Sequence, residues 1–113
     1  MTNKYKMLAE VEEAKTKFTT DSAIWRYVMN PDGIVRPFTM PAGAVYLNSK
    51  WNKIDEQIEM WFFIPDATIE EEIREFALLI TGANGYTGAE GVYLNTFRYN
   101  SHSVHHLFEV TKH

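Results

Sequence analysis

A glycine-rich stretch that follows an apolar run is the most specific pattern in the sequence. Gly82, Gly85 and Gly88 have the spacing G-x-x-G-x-x-G. In dinucleotide-binding proteins such glycines let backbone N–H groups approach a pyrophosphate at the start of a helix. Here Gly91 and a strand-like alternation follow, and only 25 residues remain after Gly88. The pattern predicts a glycine-rich connection over 82–91, with a ligand-binding loop as the alternative, and not a dinucleotide fold.

Three histidines near the C-terminus are the second group with chemical potential. In a strand, His102 and His106 would share a face about 13 Å apart, while His105 would point to the other face. Such spacing does not give these three side chains a common metal ion, so we expect no metal site. A hydrolase or isomerase that uses His105 or His106 with a glutamate is the enzymatic alternative.

Paired carboxylates and hydroxyl nucleophiles give no catalytic set. The glutamates at 70–72 are consecutive and lead into a strand, which is typical of a solvated turn. Acid–base catalysis needs carboxylates in a pocket with separated pKa values, and a serine nucleophile needs an elbow motif. We therefore expect a protein that is not an enzyme, with no catalytic residues and no cofactor.

Aromatic residues beside arginines favour a planar anionic ligand. Such a pocket needs ring faces and one or two guanidinium groups. Trp25 and Tyr99 are the candidate rings, and Arg74 and Arg98 are the candidate cations. A nucleotide-like ligand held by these four residues, at a boundary between subunits, is the corresponding prediction.

The N-terminal segment has helical periodicity. Met7, Val11, Ala14 and Phe18 follow the i, i+4, i+7, i+11 spacing of one helical face. This pattern predicts an amphipathic helix over residues 3–18. The helix either packs on its own domain or reaches a neighbouring subunit.

The rest of the chain has the texture of strands separated by turns. Turns are expected at Pro31 to Gly33 and at Pro41 to Gly43, where proline presets φ and glycine can take a positive φ. Each is predicted to close a hairpin. Strands are predicted at 24–29, 35–40, 45–53, 57–64, 73–81, 92–99 and 104–111.

These elements predict one mainly β (α+β) domain over residues 1–113. The β body, residues 24–111, is an antiparallel sheet or a small sandwich of about seven short strands, with one N-terminal helix. The run 60–64 is apolar on both alternating faces, which is typical of a central strand covered on both sides. Surplus apolar surface favours a homo-oligomer.

Charge excludes some partners. Eleven Lys and Arg against fifteen Asp and Glu give a formal net charge of -4, and eight of the acids lie between residues 55 and 75. Direct binding of nucleic acid needs clustered basic residues, so it is not expected. The acidic stretch predicts a solvated edge or, alternatively, a surface for a basic partner. The N-terminus resembles no signal peptide, and no apolar run is long enough to span a bilayer, so we expect a cytoplasmic protein without a membrane partner.

Several short motifs, in their order along residues 24–109, resemble a family of small phage-encoded proteins of unknown function. The turn Met-Pro-x-Gly-Ala at 40–44 is the most distinctive of them. Others are Tyr-Leu-x-Thr-Phe at 93–97 and His-Leu-Phe-Glu at 106–109. The resemblance implies a phage or prophage origin, and the host cytoplasm as the location.

Two functions are compatible with these expectations. The first is a non-enzymatic accessory protein that counters host defence, by sequestering a nucleotide signal or by capping a host defence protein. The alternative is a structural or assembly module of a phage or prophage, with no small-molecule ligand.

Overall fold

A computed structural model of the chain describes residues 17–85 and 88–112. Its strands are β1 (Ala23–Met29), β2 (Arg36–Pro41), β3 (Val45–Asn52), β4 (Gln57–Ile64), β5 (Glu71–Ile80), β6 (Glu90–Arg98) and β7 (Val104–Lys112). All seven predicted strands are confirmed, with ends shifted by two residues or fewer. Most of the predicted helix, residues 3–16, lies outside the described residues. Lys17 and Phe18 are described and belong to no helix.

The strands form two antiparallel sheets with a shared core. The three-stranded sheet has the order β1-β4-β3, and the four-stranded sheet has the order β2-β5-β7-β6. The mainly β prediction is therefore confirmed. In the described part of the chain, β4 is the central strand of its sheet, as the apolar run 60–64 predicts.

The two proline turns do not close hairpins. β1 pairs with β4, and β2 pairs with β5, so the turn at Pro31 carries the chain from one sheet to the other. The turn at Pro41 carries it back. Gly33 and Gly43 do adopt positive φ values of 71° and 80°. Turn chemistry indicates where a strand ends but not which strand it will pair with, and this is why the hairpin prediction was wrong.

Alternation along β4 divides its side chains between the core and the outer surface. Ile58, Met60, Phe62 and Ile64 point to the other sheet and are at most 1% exposed. Burying each such side chain contributes about 1.5–3 kcal/mol. The intervening residues face outward on the three-stranded sheet, where Glu59 forms an ion pair with Arg26 at 2.5 Å.

Two β-bulges join the sheets along one edge. One bulge lies between Tyr46 and Asn48 in β3, and the other lies between Tyr93 and Asn95 in β6. Asn95 Nδ2 donates to the Ser49 carbonyl oxygen at 2.9 Å. Because a bulge adds one residue to the strand, two residues that are three positions apart can lie on the same face of that strand.

The connection from β5 to β6 crosses the outer face of the four-stranded sheet. Both strands are antiparallel to β7, so they are parallel to each other, and the chain must return the length of β7 between them. That distance is about 23 Å from the level of His105 to that of Lys112. Residues 81–89 link the two strands, and a chain of nine residues reaches about 30 Å when extended. The described part of this connection lies on the outer face, where Gly85 and Ala89 adjoin Phe108.

Gly91 is required where β6 meets β7. A Cβ at this position would lie 2.8 Å from the Glu109 carbonyl oxygen. We expect Gly91→Ala to lower the free energy of unfolding by about 1–3 kcal/mol, because the strands must separate to admit the methyl group. Urea unfolding followed by tryptophan fluorescence measures this change. Gly85→Ala is the matched control, since its methyl group meets nothing within 4 Å, and an equal loss in both variants would contradict the packing explanation.

Candidate functional site

The crossing chain and the sheet beneath it enclose an apolar cleft. Its floor consists of Ala77 and Leu79 from β5 and Phe108 and Val110 from β7. Its wall comes from the crossing chain and the start of β6, with Gly85, Ala89, Glu90 and Gly91. The cleft has a volume of about 210 Å³. Pockets for drug-sized ligands span about 300–1,000 Å³, so this cleft fits a single ring system.

A chain of hydrogen-bonded side chains borders the cleft. His106 follows Phe108 on the outer face of β7 and pairs across the sheet with Leu79 and Thr96. Its Nδ1 lies 2.9 Å from Thr96 Oγ1, and its Nε2 lies 2.8 Å from Thr81 Oγ1. Tyr93 Oη lies 2.8 Å from Thr96 Oγ1. Both ring nitrogens of His106 are therefore bonded to hydroxyl groups.

The direction of these hydrogen bonds follows from the donors. Thr81 Oγ1 donates its only hydrogen to the Val104 carbonyl oxygen at 3.3 Å. In this arrangement Thr81 Oγ1 accepts from His106 Nε2–H. Thr96 Oγ1 joins His106 Nδ1 to the Tyr93 hydroxyl group. These four side chains form one connected network.

The bulge in β6 explains why the sequence did not predict this arrangement. Tyr93 and Thr96 would lie on opposite faces of a regular strand, but the bulge places both of them outward. The Tyr93 ring stands edge-on to Phe108, with centroids 5.8 Å apart. Tyr93 is 55% exposed and lies opposite Phe108, which lines the cleft.

Arg98 provides a cation on the same face. It pairs with Val104 and lies two residues from Thr96 along β6, about 7 Å away. Its side chain is exposed and forms no ion pair with the described residues. Glu90 lines the cleft and lies 3.8 Å from Lys112. Arg98 does not line the cleft and lies further along the same sheet face, at the level of Val104.

Arg74 lies between the sheets instead. Its Nε and Nη2 donate to the two carboxylate oxygens of Glu109, both at 2.7 Å, and Nη1 donates to the Ala44 carbonyl oxygen. Its guanidinium carbon lies 5.5 Å from the centre of the Phe62 ring. The pKa of Arg74 is raised, first by the hydrogen bond to Glu109. All three of its nitrogens are engaged within the domain.

The other predicted ligand residues are separated by the fold. Trp25 lies on β1, at the edge of the three-stranded sheet, and is 37% exposed. Tyr99 follows β6 and packs its half-buried ring against Trp51 and His105, at 4.6 and 5.4 Å. The structure does not bring Trp25, Arg74, Arg98 and Tyr99 together. None of the four lines the cleft, although Arg98 lies on the same sheet face.

The histidines occupy three different environments. His102 lies in the β6–β7 turn, outside the strand predicted at 104–111, and so shares no strand face with His106. Asn100 Oδ1 accepts from the His102 backbone N–H at 2.8 Å and stabilises that turn. His105 and His106 do lie on opposite faces of β7. In residues 17–85 and 88–112, no three His, Asp or Glu side chains gather as metal ligands.

His105 makes stability depend on pH. Burial lowers its pKa, and the neighbouring His106 lowers it further. Because the unfolded chain then binds the proton more tightly, stability is lost as the pH falls below about 6.5, and the loss ends below the folded pKa. We expect His105→Gln to flatten urea stability between pH 7.5 and pH 5.5. His102→Gln, in the exposed turn, should keep the wild-type slope. An unchanged slope in His105→Gln would contradict this assignment.

These features define a small antiparallel β-sandwich domain with a cleft on one outer sheet face. A family described as a domain of unknown function, DUF7352, matches residues 20–113, and the chain belongs to this family. No curated protein and no solved structure matches the chain. Within the described residues, no helix is both long and apolar enough to cross a membrane.

Proposed function

We propose that this protein is a non-enzymatic binding protein that holds a small planar anion on the outer face of its four-stranded sheet. The observation that carries the proposal is the apolar cleft over Phe108, with Tyr93, His106 and Arg98 further along the same sheet face. Aromatic faces beside a cation suit a nucleotide or a related signalling molecule.

Charge sets the orientation of the ligand. Its ring would enter the apolar cleft, and its phosphate would point to Arg98, away from the Glu90 carboxylate. Arg98 projects at the level of Val104. Val104 lies four residues, or about 13 Å, from Phe108 along β7. The hydroxyl groups of Thr96 and Thr81 lie between, where they can bond a sugar.

The engagement of His106 supports binding without turnover. Both of its ring nitrogens are hydrogen-bonded to threonine hydroxyl groups, and His105 points to the other face. The resemblance to small phage-encoded proteins supplies the biological context. In that setting, the protein would sequester a nucleotide signal of the host and so counter its defence.

A thermal-shift screen with linear and cyclic nucleotides tests the proposal. A ligand at one hundred times its Kd adds about 2.7 kcal/mol to stability, which raises Tm by several degrees. We expect Arg98→Gln to lower affinity about tenfold, since it removes a charged hydrogen bond worth about 1.5–3 kcal/mol. Lys50→Gln, which removes an exposed cation from the other sheet, should leave affinity unchanged.

The nucleoside without its phosphate is the chemical control. It should bind Arg98→Gln and the wild type equally well, because the ring occupies the apolar cleft in both. Absence of stabilisation by every nucleotide at millimolar concentration would contradict the proposed ligand class. Equal losses in Arg98→Gln and Lys50→Gln would contradict the proposed place of binding.

The alternative is an assembly module that binds only copies of itself or a virion protein. It is supported by Ile24 and Leu47, which are 64% and 43% exposed on the outer face of the three-stranded sheet. Apolar patches of this kind mark interaction sites in soluble proteins. Light scattering separates the two functions in part, because a strict monomer would remove self-assembly.

A further inference from the structure

The outer face of the three-stranded sheet has an apolar concavity at one end. Ile24 of β1, Leu47 of β3 and Phe63 of β4 surround it, and its volume is about 380 Å³. Phe63 is only 6% exposed, while Ile24 and Leu47 are largely open to solvent. The concavity is separate from the cleft described above, which lies on the other sheet.

The N-terminal chain reaches this concavity directly. The described part of the chain begins at Lys17, and Phe18 and Thr19 line the concavity beside Ile24. Residues 1–16 are therefore attached at its rim. They also lie outside the family match, which begins at residue 20.

The sequence of this segment complements the face. Met7, Val11 and Ala14 belong to the apolar stripe whose last member is Phe18, which lines the concavity and is 82% exposed. A helix over residues 3–16 would be about 21 Å long. The outer face of β4 from Phe63 back to Gln57 measures about 20 Å. The stripe and the strand thus match in length.

Charged residues further along the same sheet face also favour the N-terminal segment as its occupant. Arg26, whose side chain is 56% exposed, forms an ion pair with Glu59, and Lys50 lies opposite Glu59 in the β3–β4 strand register. The polar side of the predicted helix carries Glu10 and Glu13, which would lie near these two cations.

We propose that residues 3–16 form a helix that lies along β4 on the outer face of the three-stranded sheet, with Met7, Val11 and Ala14 against the sheet. The occupant of this face is then a segment of the same chain. This inference is independent of the proposed ligand, because it concerns the opposite side of the sandwich.

Paramagnetic relaxation measured by NMR tests the proposal on the full chain. The chain contains no cysteine, so one introduced cysteine carries one nitroxide label. The label is placed at Lys50→Cys, on the face in question, or at Thr39→Cys, on the outer face of the other sheet. We expect the amide signals of residues 7–14 to weaken severalfold with the first label and to keep their intensity with the second.

Two further measurements identify the occupant. The first mixes two kinds of chain: spin-labelled chains that lack 15N, and 15N-labelled chains that carry no spin label. Signals of residues 7–14 should keep their intensity in this mixture, and their weakening would overturn the proposal in favour of a second copy.

The second uses variants in the Lys50→Cys background. Val11→Asp should abolish the effect of the label on residues 7–14, while Glu12→Asp should preserve it. Signals of Glu59 and Trp61 must weaken in every Lys50→Cys variant, which shows that the sheet is folded. Full intensity at residues 7–14 with the Lys50→Cys label, or equal weakening with both labels, would also overturn the proposal.

Discussion

Phe62→Ala is expected to lower the free energy of unfolding by about 3–5 kcal/mol. Phe62 is fully buried, and the rings of Tyr27, Tyr46 and Phe76 stand edge-on around it with centroids 5.6–5.8 Å away. Removing the ring takes a partner from each of them and leaves a cavity between the sheets. Domains of this size have total stabilities of about 5–15 kcal/mol, so the variant would lie close to the limit of folding.

Urea unfolding measures this effect, and Phe62→Leu keeps the variant measurable if Phe62→Ala does not fold. The leucine variant should lose less, because it retains part of the buried volume. Ile54→Ala is the matched control, since Ile54 is 93% exposed in the β3–β4 turn. Its stability should change by less than about 0.5 kcal/mol. Comparable losses for Ile54→Ala and Phe62→Ala would contradict the position of the core.

The second large effect concerns the ion pair between the sheets. Glu109→Ala is expected to lower the free energy of unfolding by about 3 kcal/mol, because the Arg74 guanidinium would keep its charge without its partner. The two side chains are 17% and 19% exposed, which is intermediate between core and surface. The loss should therefore fall at the lower end of the range for buried pairs. Lys112→Gln, which removes an exposed pair at 3.8 Å, should cost less than about 1 kcal/mol.

A double variant distinguishes an unpaired charge from lost packing. Arg74→Met with Glu109→Leu replaces both charges by apolar groups, and such replacements are often neutral or stabilising. We expect the double variant to be more stable than Glu109→Ala alone. If the stability loss of the double variant equals the sum of the losses of Arg74→Met and Glu109→Leu alone, the two residues do not act as a pair. Arg74 would then be available for another role.

The strands could be predicted from the sequence because their signals are local. Alternation along β4 identified both the strand and its central position, since a run that is apolar on both faces must be covered on both. Side chains within a few residues of one another determine this outcome.

Strand partners and the cleft could not be predicted because they depend on contacts between distant segments. Pro31 signals a turn in either a hairpin or a sheet-to-sheet connection. The bulge that turns Tyr93 and Thr96 to one face leaves no residue signature in β6. Arg74 was predicted at a ligand site, but it binds Glu109 instead. Glu109 lies 35 residues away in the sequence, and nothing in the sequence marks the two residues as partners.

Chemical-shift mapping by 15N NMR during a nucleotide titration tests whether a small planar anion binds on the outer face of the four-stranded sheet. We expect saturable shifts at the amides of Thr81, Tyr93, Thr96, His106 and Phe108, with Ile24 and Leu47 unchanged. Shifts centred on Ile24 and Leu47, or no shifts with any nucleotide at millimolar concentration, would contradict it.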